Sequence, residues 1–191
     1  YILANNAHLV IDPDRFYPIG GINPRPPLFS WSMAIGAMAV EPFLSSPEDA
    51  VWWSMLALPA VYGALTVFPI ASMARDHFGK GAAVLAAWLI AFMPAHVTHS
   101  TWALADHDAF VMLFISIGFM YWLRAVKYAG SARLTKTTTP HPLSFVRAFH
   151  DVAEQRKAAM ANAALAGVAF GIVALGWKGF VVGPSIPVSY T

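Results

Sequence analysis

Long stretches of apolar residues constrain this chain more than any other feature of its sequence. Residues 51–73, for example, include no charged side chain. A helix needs about 20 mainly apolar residues to cross the hydrocarbon core of a bilayer. Hydrophobic residues make up 58% of the 191 residues and charged residues only 12%, whereas a soluble domain carries about 25% charged residues. The sequence therefore predicts an all-α integral membrane protein.

Four stretches have the length and composition of membrane spans, at about 51–73, 81–97, 109–126 and 158–177. Residues 127–157 then form a loop between the last two spans, within which 143–157 has the pattern of an amphipathic surface helix. A shorter apolar stretch at 28–40 has room for only about 20 Å of helix before Glu41 and Pro42, too little for a ~30 Å core. We expect it to be an interfacial helix. The chain thus divides into 1–50, an external loop ending with that helix, and 51–191, the transmembrane region.

The basic residues predict the orientation, because Lys and Arg of short loops collect on the cytoplasmic side. Nine of the twelve basic residues fall in or beside two connecting segments, 74–80 and 124–157. Seven of the ten acidic residues fall in the alternate segments. We therefore expect 74–80 and 127–157 to be cytoplasmic, in a multi-pass protein of the cell membrane. Topology explains these dispersed cations, so no nucleic-acid partner is expected.

Both chain ends have the character of internal sequence. Tyr1 is not preceded by an initiator Met, and no signal peptide begins there. The last residues stop after an apolar run. We expect the chain to be a fragment that lacks a C-terminal soluble domain and is inactive by itself.

Asp106 and Asp108 are the strongest candidates for chemistry, because they stand two residues apart where an external loop enters a span. Ionisable side chains at such a boundary usually face a cavity or a partner. Paired carboxylates supply the hard oxygen ligands that Mg²⁺ and Mn²⁺ prefer. Two alternatives stay open from the residues alone. One acid could cap the following helix, and the nearby histidines could form a zinc or proton site; these are His96, His99 and His107.

Three segments of the chain resemble the catalytic subunits of oligosaccharyltransferases. Residues 100–108 are similar to the family's second acidic motif, which opens a transmembrane helix. The segment 12–20, followed by Pro-Arg-Pro-Pro-Leu-Phe at 24–29, is similar to the end of its first external loop. Gly-Trp-Lys-Gly-Phe at 176–180 resembles a Trp-Gly-Gly-Tyr element of the family. Order and spacing agree over nearly the whole chain, and His107 between the acids gives it an archaeal character.

The resemblance implies a polytopic bundle of the GT-C glycosyltransferase type. It implies an enzyme that transfers a lipid-linked oligosaccharide, on a dolichol phosphate or pyrophosphate carrier, to the Asn of Asn-x-Ser/Thr in an acceptor polypeptide. Asp106 and Asp108 would be the catalytic residues and would bind Mn²⁺ or Mg²⁺ at the outer membrane face. His107, His99 and Arg25 would be their nearest supporting side chains.

The resemblance has two departures and leaves other parts of the family's site outside this chain. The family often has Arg at the position of His99, and the Gly of its acidic motif is replaced by Ala103 or Leu104. Its first catalytic Asp would precede Tyr1, while a later catalytic Glu and the sequon-binding motif would follow Thr191.

Two other functions remain possible at this stage. One is another GT-C enzyme that uses a lipid-phosphate sugar. The other is a cation transporter, although the predicted spans lack the ionisable residues that transporters place near the midplane.

Overall fold

The computed structural model describes residues 2, 7, 10–12, 18–22, 26–135 and 142–179, without the side chains of 132–135 and 142–150. Two short antiparallel strands come first, β1 (Ile11–Asp12) and β2 (Gly21–Ile22), with Ile11 opposite Ile22. A turn at Pro18–Ile19 precedes Gly20. Arg25 lies outside the described residues.

Helix α1 (Pro27–Val40) corresponds to the predicted interfacial helix and, at 14 residues, is about 21 Å long. A 3-10 turn at Glu41–Phe43 leads to helix α2 (Pro47–Phe78). Ser46 caps α2, because its side chain accepts a hydrogen bond from the Asp49 backbone N–H. The helix ends at Gly79, whose φ of 88° suits a residue without a Cβ. The apolar run therefore forms a helix that is longer than predicted, with Ser46 as its N-cap and Gly79 as its C-cap.

Four more helices follow: α3 (Lys80–Phe92), α4 (Pro94–His99), α5 (Asp108–Thr135) and α6 (Pro142–Gly176). Within the described residues, three segments are long and apolar enough to cross a membrane: Pro47–Phe78, Asp108–Ser131 and Asp151–Gly176. The span predicted at 81–97 is instead broken between α3 and α4. Met93 adopts ψ 117° there, because the residue before a proline is driven out of the helical region and Pro94 has no N–H to donate.

The segment predicted as a loop at 127–157 is mostly helical, which corrects that expectation. Helix α5 continues to Thr135, and α6 already begins at Pro142. The amphipathic helix expected at 143–157 is the first part of α6, continuous with the last apolar segment. The charged side chains of this region do not exclude a helix, because a helix can extend beyond the hydrocarbon core into water.

Helices α2 and α5 run parallel and in register. The rings of Tyr62 and Phe110 are 5.5 Å apart, and Arg124 Nε donates to Asp76 Oδ2 over 2.7 Å. The two contacts are equally far apart on both helices. Asp76 follows Tyr62 by 14 residues (76 − 62) and Arg124 follows Phe110 by 14 residues (124 − 110), or about 21 Å of helix in each case. Two parallel helices require the chain to return between them, and α3 and α4 make that return.

The best-packed part of the described chain lies directly beneath the start of α5. Phe110, Val111 and Val173 are buried there, and residues from α1, α2 and α6 pack around them. Helices α5 and α6 approach closely at Gly118, where a Cβ would lie 2.7 Å from Cε1 of Phe170. Small residues that allow such close approach are typical of helix contacts in membranes.

Candidate metal centre

The loop from Ser100 to His107 presents the predicted acids, and backbone hydrogen bonds hold it in place. Ala103 N–H donates to the carbonyl of Leu56 in α2 (3.1 Å), which fixes the loop to that helix. Asp106 N–H donates to Leu104 O (2.8 Å). Ala103 has φ 74°, a conformation that is unfavourable for residues with a Cβ. The resemblance places the Gly of the family's acidic motif at Ala103 or Leu104.

Asp106 and Asp108 come together with two histidines at the start of α5. His107 Nδ1 is 2.8 Å from Asp106 Oδ1, and His99 Nδ1 is 2.9 Å from Asp108 Oδ2 and 3.8 Å from Asp106 Oδ2. Each carboxylate therefore has one close imidazole partner. All four side chains are between about one third and one half exposed, so solvent and small ions can reach them.

The carboxylate arrangement is different from that of a helix cap. A capping side chain accepts a hydrogen bond from the second or third N–H of its helix. Asp106 Oδ1 instead accepts from the N–H of His107, the next residue (2.7 Å). Asp108 is itself the first residue of α5, and no backbone N–H donates to its side chain within the described part of the chain. Proximity of the acids to the helix dipole remains favourable, but capping explains neither side-chain position.

The donor set fits a divalent cation. One ligand atom from each of His99, Asp106 and Asp108 can be chosen so that all three lie within 4.8 Å of one another. Two ligands on opposite sides of Mg²⁺ are about 4.2 Å apart, so small side-chain movements would let these atoms share one ion. Carboxylate oxygens are the ligands that both Mg²⁺ and Mn²⁺ prefer, so the two acids carry the fit to these ions.

His96 lies apart from this cluster. It is 9% exposed, and its Nε2 is 3.1 Å from the carbonyl oxygen of Gly63 in α2. Because a carbonyl only accepts, Nε2 must carry the proton, and His96 joins α4 to α2. The alternative zinc set of His96, His99 and His107 is therefore not gathered at one point in the described structure.

A cavity of about 570 Å³ opens beside Asp106 and His107. Its walls come from the start of α1, from α2 and from the end of α6, and they are mainly apolar. Phe29, Met33, Met55, Trp177 and Lys178 are among the residues that line it. The participation of Trp177 and Lys178 could not be predicted from spacing, since about 70 residues separate them from the acids. Only the resemblance of 176–180 to a family element had singled them out.

Aromatic contacts connect the cavity wall to the acidic cluster. The ring of Phe29 in α1 packs edge-on against His107 (6.3 Å between centroids) and against Phe110 (5.9 Å). Phe110 in turn packs against Tyr62 of α2. Helix α1 thus supports the histidine that holds Asp106, which gives this short helix a part in shaping the site.

Comparison with known proteins agrees with this architecture. The family described as "Oligosaccharyl transferase STT3, N-terminal" matches residues 2–188. Dolichyl-phosphooligosaccharide-protein glycotransferase 3 of Archaeoglobus fulgidus is 26% identical over 188 residues, covering 96% of this chain and 19% of the relative.

A solved structure has the same fold. It is the archaeal oligosaccharyltransferase AglB from Archaeoglobus fulgidus, in complex with an inhibitory peptide and a dolichol-phosphate. The TM-score is 0.70 at 22% identity, over 99% of this chain and 20% of that one. The predicted fold class, a helical membrane bundle, is confirmed. This chain spans about one fifth of the length of both proteins, and with nearly all its residues matched it belongs to the oligosaccharyl transferase STT3 family, in the N-terminal part of that family.

Proposed function

We propose that the protein containing this chain transfers an oligosaccharide from a dolichol phosphate or pyrophosphate carrier to the Asn side chain of Asn-x-Ser/Thr in acceptor polypeptides. The observation that carries the proposal is the carboxylate pair Asp106 and Asp108, held by His107 and His99 beside an open cavity. The relative from Archaeoglobus fulgidus is named as a dolichyl-phosphooligosaccharide-protein glycotransferase, which supports the same chemistry here.

Asp106 and Asp108 are the proposed catalytic residues and the ligands of Mn²⁺ or Mg²⁺. A divalent cation supplies charge neutralisation for the departing phosphate of the carrier lipid. His107 and His99 orient the two carboxylates through the contacts at 2.8 and 2.9 Å. Side chains that orient the ligands of a metal typically matter 10- to 100-fold for metal affinity or activity. Arg25 stays a prediction as a further supporting residue.

The cavity next to Asp106 suits an amphiphilic donor. Phe29, Met33 and Met55 provide apolar walls that can cover the first isoprene units of a lipid. Asp106, His107 and Lys178 contribute its polar side. The positive charge of Lys178 on the wall of this cavity favours an anionic headgroup there.

We further propose that this site faces the cell exterior, in the plasma membrane if the organism is archaeal. The basic residues Arg75, Arg124 and Lys127 gather at the opposite end of the α2–α5 pair, as expected for a cytoplasmic end. Cysteines introduced at Thr101 and Gly130 test this orientation. An impermeant thiol reagent applied to intact cells should modify only the cysteine at 101. Modification at 130 alone would reverse the orientation.

The function is tested by a transfer assay with the full-length protein, a lipid-linked oligosaccharide and a peptide that contains Asn-x-Thr. Chelation by EDTA should reduce transfer at least tenfold, and added Mn²⁺ or Mg²⁺ should restore it. The matched control is the same peptide with Gln in place of Asn, which should receive no glycan. Undiminished transfer after chelation would contradict the metal site. A glycan transferred to a lipid or a sugar, and never to the peptide, would favour a different GT-C glycosyltransferase.

A further inference from the structure

A second groove lies between α2 and α5, toward the end of the pair opposite the acidic cluster. Its volume is about 390 Å³. The residues of α2 that line it have the spacing of a single helix face, and so do those of α5. Each helix therefore forms one wall of the groove. The lining residues are Leu65, Phe68, Pro69, Ser72, Leu113, Ile117, Met120, Tyr121 and Arg124.

The two contacts that join α2 to α5 enclose this groove. Tyr62 and Phe110 pack together before it begins, and Asp76 and Arg124 pair where it ends. From Leu113 to Arg124 the wall extends over 11 residues (124 − 113), or about 16 Å. Half of a hydrocarbon core is about 15 Å thick. The groove therefore matches the depth of one bilayer leaflet and the reach of one lipid chain.

The basic end of the groove carries more positive than negative charge. Asp76 contacts three cationic side chains, two of them through its carboxylate and one through its backbone carbonyl. Arg124 Nε bonds its side chain at 2.7 Å, Lys127 Nζ donates to its backbone carbonyl at 2.7 Å, and Arg75 Nε lies 3.4 Å from Oδ1. The four charges sum to +2 (three cations and one anion). Arg75 is 57% exposed and Arg124 24% exposed, so both can meet a further anion.

From this combination we infer that the groove binds a bilayer phospholipid with an anionic headgroup. One hydrocarbon chain lies along Leu65, Ile117 and Met120, and the phosphate meets Arg75, Arg124 and Lys127. Basic pockets between membrane helices recognise anionic headgroups in this way, and each Lys or Arg near the surface raises the affinity about fivefold. Arg124 also stacks over Tyr121 (5.9 Å to the ring centroid), which keeps the guanidinium at the mouth of the groove. This binding site is independent of the proposed glycan transfer.

Native mass spectrometry of the full-length protein in mixed phosphatidylglycerol and phosphatidylcholine tests the inference. The wild-type protein should retain phosphatidylglycerol in preference to phosphatidylcholine. The double variant Arg75→Gln/Lys127→Gln should lose that preference by about tenfold or more, while its Asp76–Arg124 pair stays intact. Lys157→Gln is the matched control, because Glu154 already pairs Lys157 at 2.9 Å. It should retain phosphatidylglycerol like the wild type.

A bulky substitution tests the apolar part of the groove. Ile117→Trp should reduce retention of both lipids, whereas Leu85→Trp, at a 61% exposed position of α3, should not. Ser72→Phe fills the groove from the opposite wall and replaces Ile117→Trp if that variant does not fold. Equal retention of the two lipids by the wild type would overturn the inference. Retention unchanged by the filling variants would also overturn it, because the groove would then be covered by protein.

Discussion

At one end of the α2–α5 pair two carboxylates share two imidazoles, and at the other end one aspartate contacts three cationic side chains. Asp106 and Asp108 are partnered by His99 and His107, which are charged only when protonated. Asp76 is held by the cationic side chains of Arg124 and Lys127.

The acidic end can therefore bind an added cation, whereas the basic end already contains cationic side chains. Negative charge on the acidic end is not balanced by a permanent cation within the contacts of the described residues, and the groups are open to solvent. At the basic end both oxygens of the Asp76 carboxylate have a cationic partner, and the bond to Arg124 joins α2 to α5. We therefore expect the more exposed acids, Asp106 (36%) and Asp108 (40%), to serve binding, and the less exposed Asp76 (20%) to serve packing. Substitutions at the two ends test this difference.

The largest effect is expected at the acidic end. In the full-length protein, Asp106→Asn and Asp108→Asn should each reduce glycan transfer at least tenfold, because a neutral amide oxygen binds a divalent cation far more weakly than a carboxylate. Asp106 should be the more sensitive position. The free energy of unfolding should change by less than about 0.5 kcal/mol in either variant. Excess Mn²⁺ should recover part of the transfer activity.

Asp49→Asn is the control for this pair. Asp49 is an exposed acid whose side chain contacts Ser46, and it lies outside the acidic cluster. Its substitution should leave transfer unchanged. Full transfer by both Asn variants without added metal would remove the distinction between the two ends.

A smaller effect, on stability alone, is expected at the basic end. Arg124→Gln removes the 2.7 Å charged hydrogen bond to Asp76, whose side chain is 20% exposed, and should lower the free energy of unfolding by about 1–2 kcal/mol. Thermal unfolding in lipid-free detergent measures it. Arg75→Gln is the matched control, since its 3.4 Å contact is more exposed and should be worth under about 0.5 kcal/mol. If Arg124→Gln instead abolished transfer without loss of stability, the basic end would have a direct part in activity.

The smallest effect concerns the loop that presents the acids. Ala103→Gly should stabilise the protein by about 0.5–1 kcal/mol, because Gly adopts the φ of 74° found there without steric conflict. Ala105→Gly, in the same loop but without a positive φ, should destabilise it slightly through added freedom of the unfolded chain. Calorimetry of both variants measures the change in the free energy of unfolding. A loss of stability in Ala103→Gly equal to that of Ala105→Gly would mean that the loop stores no strain at 103.

The sequence predicted the features that depend on local composition. Apolar runs gave the long helices, because length and hydrophobicity suffice to identify a span. Asp106 and Asp108 were found as candidates because charge is rare at such a boundary. The resemblance to oligosaccharyltransferases, carried by short motifs, predicted the family that the comparison confirms.

Features that depend on distant contacts could not be predicted. Nothing local indicates that Asp76 pairs with Arg124, 48 residues later (124 − 76), since the register of two helices decides it. The same holds for the position of Trp177 on the wall of the cavity that Asp106 also lines. The break at Met93 had a local signal, Pro94, but an apolar run obscured it. Charged residues likewise obscured the helical continuation of α5 to Thr135.

The equal spacing of the two contacts between α2 and α5 restricts how the chain can change in evolution. Deleting one residue between Tyr62 and Asp76 would turn everything after it by about 100° and shorten α2 by about 1.5 Å. Asp76 would then point away from Arg124 while Tyr62 still faced Phe110. Insertions and deletions in these two stretches can be accepted only as matched changes in both helices. Differences in length among relatives should therefore be rare within 62–76 and 110–124.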